Sequence, residues 1–172
     1  QAGERDAVLR TAEEAYGRVS GRLNFVLPTR IPLVLFAPSG PLTQEEVVAY
    51  AVSDAVAPQV PHRARMVLPL AEPGTTLDAR LVHEITHYLS FEMILHGSAP
   101  GDGGLPRWIR EGIAGYMVGP LPDEDARLVR ELVASGKVPA LSGLAGDGGF
   151  ANPRLNDAIG HAAFDYIESR WG

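Results

Sequence analysis

A five-residue stretch of the chain, His83-Glu84-Ile85-Thr86-His87, has the residue types and the spacing of a metal site. On an α-helix, residues four positions apart lie on one face, so both imidazoles can point at the same ion. Neutral imidazole is a good ligand for divalent metals, and Zn²⁺ is the usual occupant. Glu84 lies about 100° round the helix from His83, where it would reach a water molecule rather than the ion. The pattern therefore predicts a hydrolytic site with Glu84 as general base.

A third ligand is expected from a second helix. A catalytic zinc generally takes three protein ligands and keeps one position for water. Glu111 lies 24 positions after His87 and is the candidate. An isolated glutamate would be interpreted as a surface residue, but Gly112, Ala114 and Gly115 surround this one with small side chains. Because glycine is costly inside a helix, we expect a packing reason: a close approach of this helix to the histidine helix.

The two motifs together resemble those of a known family. His-Glu-x-x-His, followed from position 108 by Trp-x-x-Glu-Gly-x-Ala, is similar to the gluzincin zinc metallopeptidases, especially the compact peptidase MA-like domains. The resemblance is firm over about residues 75–120 and loose on either side. It implies a single Zn²⁺ held by His83, His87 and Glu111, with Glu84 as general base.

One position departs from that pattern. Thermolysin-like members carry an aspartate one turn after the ligand glutamate, where it supports the first histidine. This chain has Gly115 there, so the sequence leaves the supporting partner of His83 open.

The resemblance also implies a residue that stabilises the oxyanion formed during hydrolysis. Gluzincins commonly supply a Tyr or His from a later segment for this purpose. The candidates are His161, Tyr166 and Tyr116, of which we predict His161, in the last helix. The alternative for His161 is an ordinary surface or half-buried histidine. Tyr166 shares the apolar face of that helix, so we expect it in the core.

Composition narrows the class of protein. A chain of 172 residues, 45% of them hydrophobic, is most economically a single domain over 1–172. The net charge of −6 and the pI near 5.3 argue against a nucleic-acid or anionic-membrane surface. No sequence run is long enough for a transmembrane helix. The absence of cysteine excludes thiolate ligands and disulfides. The compartment is not determined, although an extracytoplasmic or secreted location is favoured, and we expect a monomer.

The hydrophobic periodicity predicts the elements that position the site. Helices are expected over 4–20, 43–50, 75–97, 105–118, 123–135 and 152–170, and strands over 30–37 and 63–70. For 43–50 the β-branched residues leave a strand as the alternative. This order predicts an α+β fold, with a small early sheet followed by a helical half. The resemblance implies a thermolysin-like or minigluzincin catalytic domain, in which the second strand edges the cleft and pairs with an extended peptide.

Three functions fit these observations. The leading hypothesis is a zinc-dependent peptidase that hydrolyses peptide bonds with a zinc-activated water. A second is a zinc-binding sensory or interaction module of a larger protein, without turnover. The presence of Glu84 counts against it, because a structural site needs no base. A third is an amidase acting on cell-wall peptides. The expected partner is a peptide or protein substrate rather than nucleic acid.

Overall fold

A computed structural model describes residues 2–36, 66–69, 74–97, 105–138, 140 and 152–172. Within these ranges the chain forms five helices and two strands. The helices are α1 (Ala2–Leu23), α2 (Leu77–Gly97), α3 (Arg107–Val118), α4 (Asp123–Ala134) and α5 (Pro153–Trp171), and the strands are β1 (Leu33–Phe36) and β2 (Met66–Pro69). The protein is mostly helical with a small sheet, which agrees with the α+β class in its coarse form. The helix predicted over 43–50 lies outside the described residues.

The chain divides into two compact units. One comprises Gln1–Phe25 and Asp78–Gly172 and contains the helices, and the other comprises Val26–Leu77 and contains the sheet. The prediction of a single domain over 1–172 stays a prediction. None of the described helices is both long and apolar enough to cross a membrane.

The sheet consists of β1 and β2, paired in parallel with Leu33 opposite Met66 and Phe36 opposite Pro69. Strand β1 begins at Leu33, three residues later than predicted, and Pro32 explains this start. Pro32 has no N–H to donate to a ladder, although its carbonyl accepts a hydrogen bond of 2.8 Å from the Met66 N–H. The other predicted strand ends lie outside the described residues. Met66 and Leu68 are both buried, as residues two apart on one face of a strand should be.

Helix α2 carries an apolar stripe. Leu81, Ile85 and Leu89 recur every four residues and are buried, and Val82 beside them widens the stripe. Each buried aliphatic side chain contributes about 1.5 to 3 kcal/mol relative to an exposed one. The stripe therefore fixes the rotation of α2 about its axis. The same rotation leaves the opposite side of α2, with its two histidines, partly exposed.

Helices α3 and α5 cross at two glycines. A Cβ atom added to Gly112 would lie 2.4 Å from the carbonyl carbon of Gly160, and one added to Gly160 would lie 1.9 Å from the carbonyl oxygen of Trp108. No side chain fits between the two backbones. The close approach predicted for the small residues of α3 is confirmed, but its predicted partner is wrong. The neighbour of Gly112 is α5 and not α2, because the second glycine of the contact comes from the last helix.

The start of α5 is fixed from two sides. Asn152 is its N-cap, and its side-chain oxygen accepts a 3.1 Å hydrogen bond from the Arg154 N–H. The Arg154 side chain then forms ion pairs with Glu124 and Asp125 in the first turn of α4, at 2.8 and 2.6 Å. Helix α5 thus lies between α4 and α3, in contact with both.

Candidate metal centre

Three side chains from two helices bring their donor atoms together. His83 and His87 lie one turn apart on α2, and their Nε2 atoms are 3.0 Å from each other. Glu111 of α3 places Oε2 3.4 Å from each of these nitrogens. Among the described residues, these three form the cluster of His and acidic side chains that could hold a metal ion. The structure thus brings together the three residues that the sequence predicts as ligands.

The spacing of the donor atoms suits a tetrahedral ion. With metal–ligand bonds of about 2.0 to 2.1 Å, two ligands of a tetrahedral zinc lie about 3.3 to 3.4 Å apart. The two nitrogen–oxygen distances have this value and the nitrogen–nitrogen distance is slightly shorter. The imidazole rings are almost perpendicular, with an interplanar angle of 87°. Two imidazole nitrogens and a carboxylate oxygen also form a donor set that zinc accepts.

The cluster is only partly shielded from solvent. The side chains of His83, His87 and Glu111 are 31%, 26% and 21% exposed. A structural zinc site closes four protein ligands around the ion, whereas a catalytic site keeps a position for water or substrate. Because all three side chains are partly exposed, water and substrate can both reach the cluster.

Glu111 is held in its ionised form. Burial raises the pKa of this carboxyl, but hydrogen bonds from His83 and His87 and the positive charges of the two rings outweigh burial and lower the pKa well below its usual range. The carboxylate therefore keeps its negative charge throughout the physiological pH range. A ligand that needs no deprotonation imposes no proton cost on metal binding.

His83 lies in a negative field. Burial lowers its pKa, but the hydrogen bond to Glu111 and the charges of Glu84, Glu111 and Asp157 raise it to a value above the ordinary one. A field that favours a proton on His83 also favours a cation between the ligands. Glu84, the next residue along the chain, contributes to this field through its charge.

Asp157 is a site neighbour that the sequence did not predict. Its carboxylate accepts two hydrogen bonds of 3.3 Å from Arg107, one from Nε and one from Nη2. Burial raises the pKa of Asp157, Arg107 and His83 lower it, and Glu111 raises it. Asp157 is on α5, 46 residues after Glu111, and no local spacing connects it with either motif. Only the crossing of α3 and α5 brings it to the centre.

His161 is buried against the second half of α3. It is 6% exposed, and a Cβ atom on Gly115 would lie 3.1 Å from its Nδ1. The Tyr116 ring meets it edge-on at 6.3 Å, and within the described residues its Nε2 has no hydrogen-bond partner. Asp165 approaches Nε2 only to 3.8 Å. His161 is not part of the ligand cluster, and its predicted role as oxyanion stabiliser stays a prediction.

The prediction that Tyr166 belongs to the core is wrong. Its side chain is 55% exposed, and its ring lies against Trp171 and below the Arg170 guanidinium. Every residue of α5 from 166 onward is exposed. Buried and half-buried residues of α5 end at Asp165, whereas the apolar periodicity continues beyond the packed part of the helix.

The third oxyanion candidate, Tyr116, is engaged elsewhere. The Arg22 guanidinium lies 4.4 Å from the centre of its ring, and Phe164 stacks on the ring at 6.0 Å. Burial and a hydrogen bond to Glu168 raise the pKa of its hydroxyl. Tyr116 thus joins the ends of α1, α3 and α5.

Comparison with known proteins identifies no relative. No protein family, no curated protein and no solved structure matches the chain. The function has to be inferred from the site itself, which consists of three converging donor atoms, a glutamate beside the first histidine and a partly exposed position between two helices.

Proposed function

We propose that this protein is a zinc-dependent peptidase of the gluzincin type. The observation that carries the proposal is the convergence of three donor atoms, from His83, His87 and Glu111, at 3.0 to 3.4 Å from one another. The distances and the donor types both fit zinc, so these three residues would hold the ion. A thermolysin-like arrangement of the helical half belongs to the same proposal.

The chemistry requires one further group, and Glu84 supplies it. A bound zinc ion lowers the pKa of a coordinated water to about 7 and polarises a carbonyl oxygen. Glu84 accepts a proton from the attacking water and returns it to the leaving amine nitrogen. Its position directly after His83 keeps it at the centre without making it a ligand. Because Glu111 is assigned as a ligand and Asp157 is hydrogen-bonded to Arg107, Glu84 is the carboxylate assigned to proton transfer.

The exposure of the ligand side chains supports an enzyme over a zinc-binding interaction module. An ion that only stabilises a fold is best served by four protein ligands and no solvent access. Here, three ligands are present among the described residues, all partly exposed. The substrate is proposed to be a peptide or protein, with the amide bonds of cell-wall peptides as the alternative.

The substitution Glu84→Gln tests the proposal because it keeps the shape of the side chain and removes the base. We expect about one zinc per chain in both proteins, and hydrolysis by the wild type that falls about 10²-fold or more in the variant. Zinc content is measured by elemental analysis, and activity on casein, short quenched peptides and muropeptides.

Glu111→Ala is the matched control, since it should weaken zinc binding while the buried faces of both helices keep the fold. Zinc in the wild type without hydrolysis of any substrate would favour the interaction module. Wild-type activity in Glu84→Gln would exclude Glu84 as the base.

A further inference from the structure

Two hydrogen bonds join α3 to α5 beside the metal centre. Arg107 donates from Nε to Oδ1 of Asp157 and from Nη2 to Oδ2, both at 3.3 Å. Such a two-pronged contact between a guanidinium and a carboxylate fixes orientation as well as distance. Both side chains are partly exposed, so the pair contributes little to overall stability. The pair instead restricts how α3 and α5 are oriented beside the centre.

The pair lies one helical turn from a ligand. Arg107 precedes Glu111 by four residues, so both side chains lie on the same face of α3. Asp157 precedes Gly160 by three residues on α5, and Gly160 is in backbone contact with Gly112. Helix α3 is therefore held to α5 at two points, the glycine crossing and the ion pair. The crossing fixes the distance between the helices, and the ion pair fixes their rotation.

The ion pair and the ligands also interact electrostatically. The negative charge of Asp157 acts on His83, and the negative charge of Glu111 acts on both Arg107 and Asp157. The charges of the ion pair thus act on the ligands, and Arg107 also lies one helical turn from Glu111 in sequence.

We infer that the Arg107–Asp157 ion pair is a positioning element of the metal centre. It holds α3 in the rotation that keeps the Glu111 carboxylate beside His83 and His87. This inference rests on the metal site of the proposed function. Removal of the pair leaves all three ligands in the chain and weakens their convergence.

The test compares this ion pair with another one on the same helix. Arg107→Gln and Asp157→Asn each remove the pair. Arg154→Gln is the control, because Arg154 has similar exposure and joins α5 to Glu124 and Asp125 of α4, which carries no ligand. Zinc affinity is measured by competition with a chromogenic chelator. We expect about tenfold weaker binding in the first two variants, the lower end of the range for groups outside the ligand shell, and an unchanged affinity in Arg154→Gln.

Two further readouts separate positioning from a general loss of structure. The melting temperature of the metal-free protein should fall by a similar small amount in all three variants. The visible spectrum of the Co²⁺-loaded protein, which reports ligand geometry, should change only in Arg107→Gln and Asp157→Asn. The double variant Arg107→Asp with Asp157→Arg restores the pair in reverse and should regain most of the zinc affinity.

The outcomes distinguish this inference from the proposed function. A wild-type protein that binds no zinc overturns both. A wild type that binds zinc, with affinities in Arg107→Gln and Asp157→Asn equal to that in Arg154→Gln, overturns the positioning role alone.

Discussion

Glu111 determines the charge of the metal centre. It contributes one negative charge, and the two imidazoles are neutral when they act as ligands. A divalent ion bound by this set keeps a net positive charge, which favours polarisation of a carbonyl group. The carboxylate is ionised before any metal arrives, because the neighbouring rings lower its pKa despite burial. Glu111 therefore has no proton to lose when a metal ion binds.

At the same scale, His161 should make the stability of the protein depend on pH. Burial lowers its pKa, against the opposing charges of Asp165 and Asp125 and the Gly119 backbone. An unfolded histidine binds a proton near pH 6.5. Below that pH the unfolded chain therefore binds more protons than the folded one. As the pH is lowered, the free energy of unfolding decreases by at most about 1.4 kcal/mol per pH unit. The contribution of neutral His161 to stability is complete above about pH 6.5. It is lost as the pH falls toward the pKa of His161 in the folded protein.

Urea unfolding of the metal-free protein at pH 7.5 and 5.5 measures this effect. His161→Asn should lose less stability between the two pH values than the wild type, because the replacement does not titrate. Equal losses of stability in the variant and the wild type would contradict this pH dependence.

If His161 instead donates to the oxyanion, the same variant lowers kcat about 10²- to 10³-fold with unchanged zinc affinity.

The sequence identified the residues whose chemistry depends on spacing within one helix. His83, Glu84 and His87 define their own geometry once α2 forms, and Glu111 follows from the number of ligands that zinc needs. Asp157 could not be found in this way, because its place at the centre depends on how α3 and α5 cross. The exposure of Tyr166 was missed for a related reason, since periodicity does not tell how far a packing partner extends.

At the scale of elements, the crossing of α3 and α5 should be intolerant of any side chain. Gly160→Ala would place a methyl group 1.9 Å from a backbone oxygen, and backbone atoms cannot swing aside as side chains do. We expect a loss of about 3 kcal/mol in the free energy of unfolding, the upper part of the usual range for overpacking. Chemical denaturation followed by circular dichroism measures it.

Gly17→Ala on α1 is the matched control. A Cβ atom there meets nothing within 4 Å, and replacement of an exposed helical glycine by alanine should stabilise the protein by about 0.4 to 1 kcal/mol. Similar stability of Gly160→Ala and the wild type would show that the helices separate at little cost.

The existence and order of the five described helices were predictable because the apolar periodicities are long and their ends carry recognisable residues. Asn152 begins α5 as an N-cap, and Gly136, with a φ of 68°, follows the end of α4. The start of β1 was predicted three residues too early because an apolar run does not show where ladder pairing begins. The partner of Gly112 could not be predicted because any other helix with a small residue was equally suitable.

At the scale of the whole molecule, zinc should stabilise the helical unit. The ligands lie between residues 83 and 111, within the unit formed by Gln1–Phe25 and Asp78–Gly172. Zinc at 100 times its dissociation constant adds about 2.7 kcal/mol to the free energy of unfolding, provided that it binds only the folded state.

Thermal unfolding with zinc and with a chelator tests this coupling. The wild type should melt at a higher temperature with zinc, and Glu111→Ala should show little difference between the two conditions. An equal response of both proteins would mean that the stabilising ion binds elsewhere.

The glycine crossing has a consequence for the order of events during synthesis. All three ligands have been added to the chain by residue 111, whereas the glycine that α3 packs on is residue 160. At about 5 to 20 residues per second, the ribosome needs roughly 2 to 10 seconds for the intervening stretch. During that interval the nascent chain has its ligands but not the helix that aligns them. In terms of the proposed function, the centre is therefore completed only after α5 has emerged.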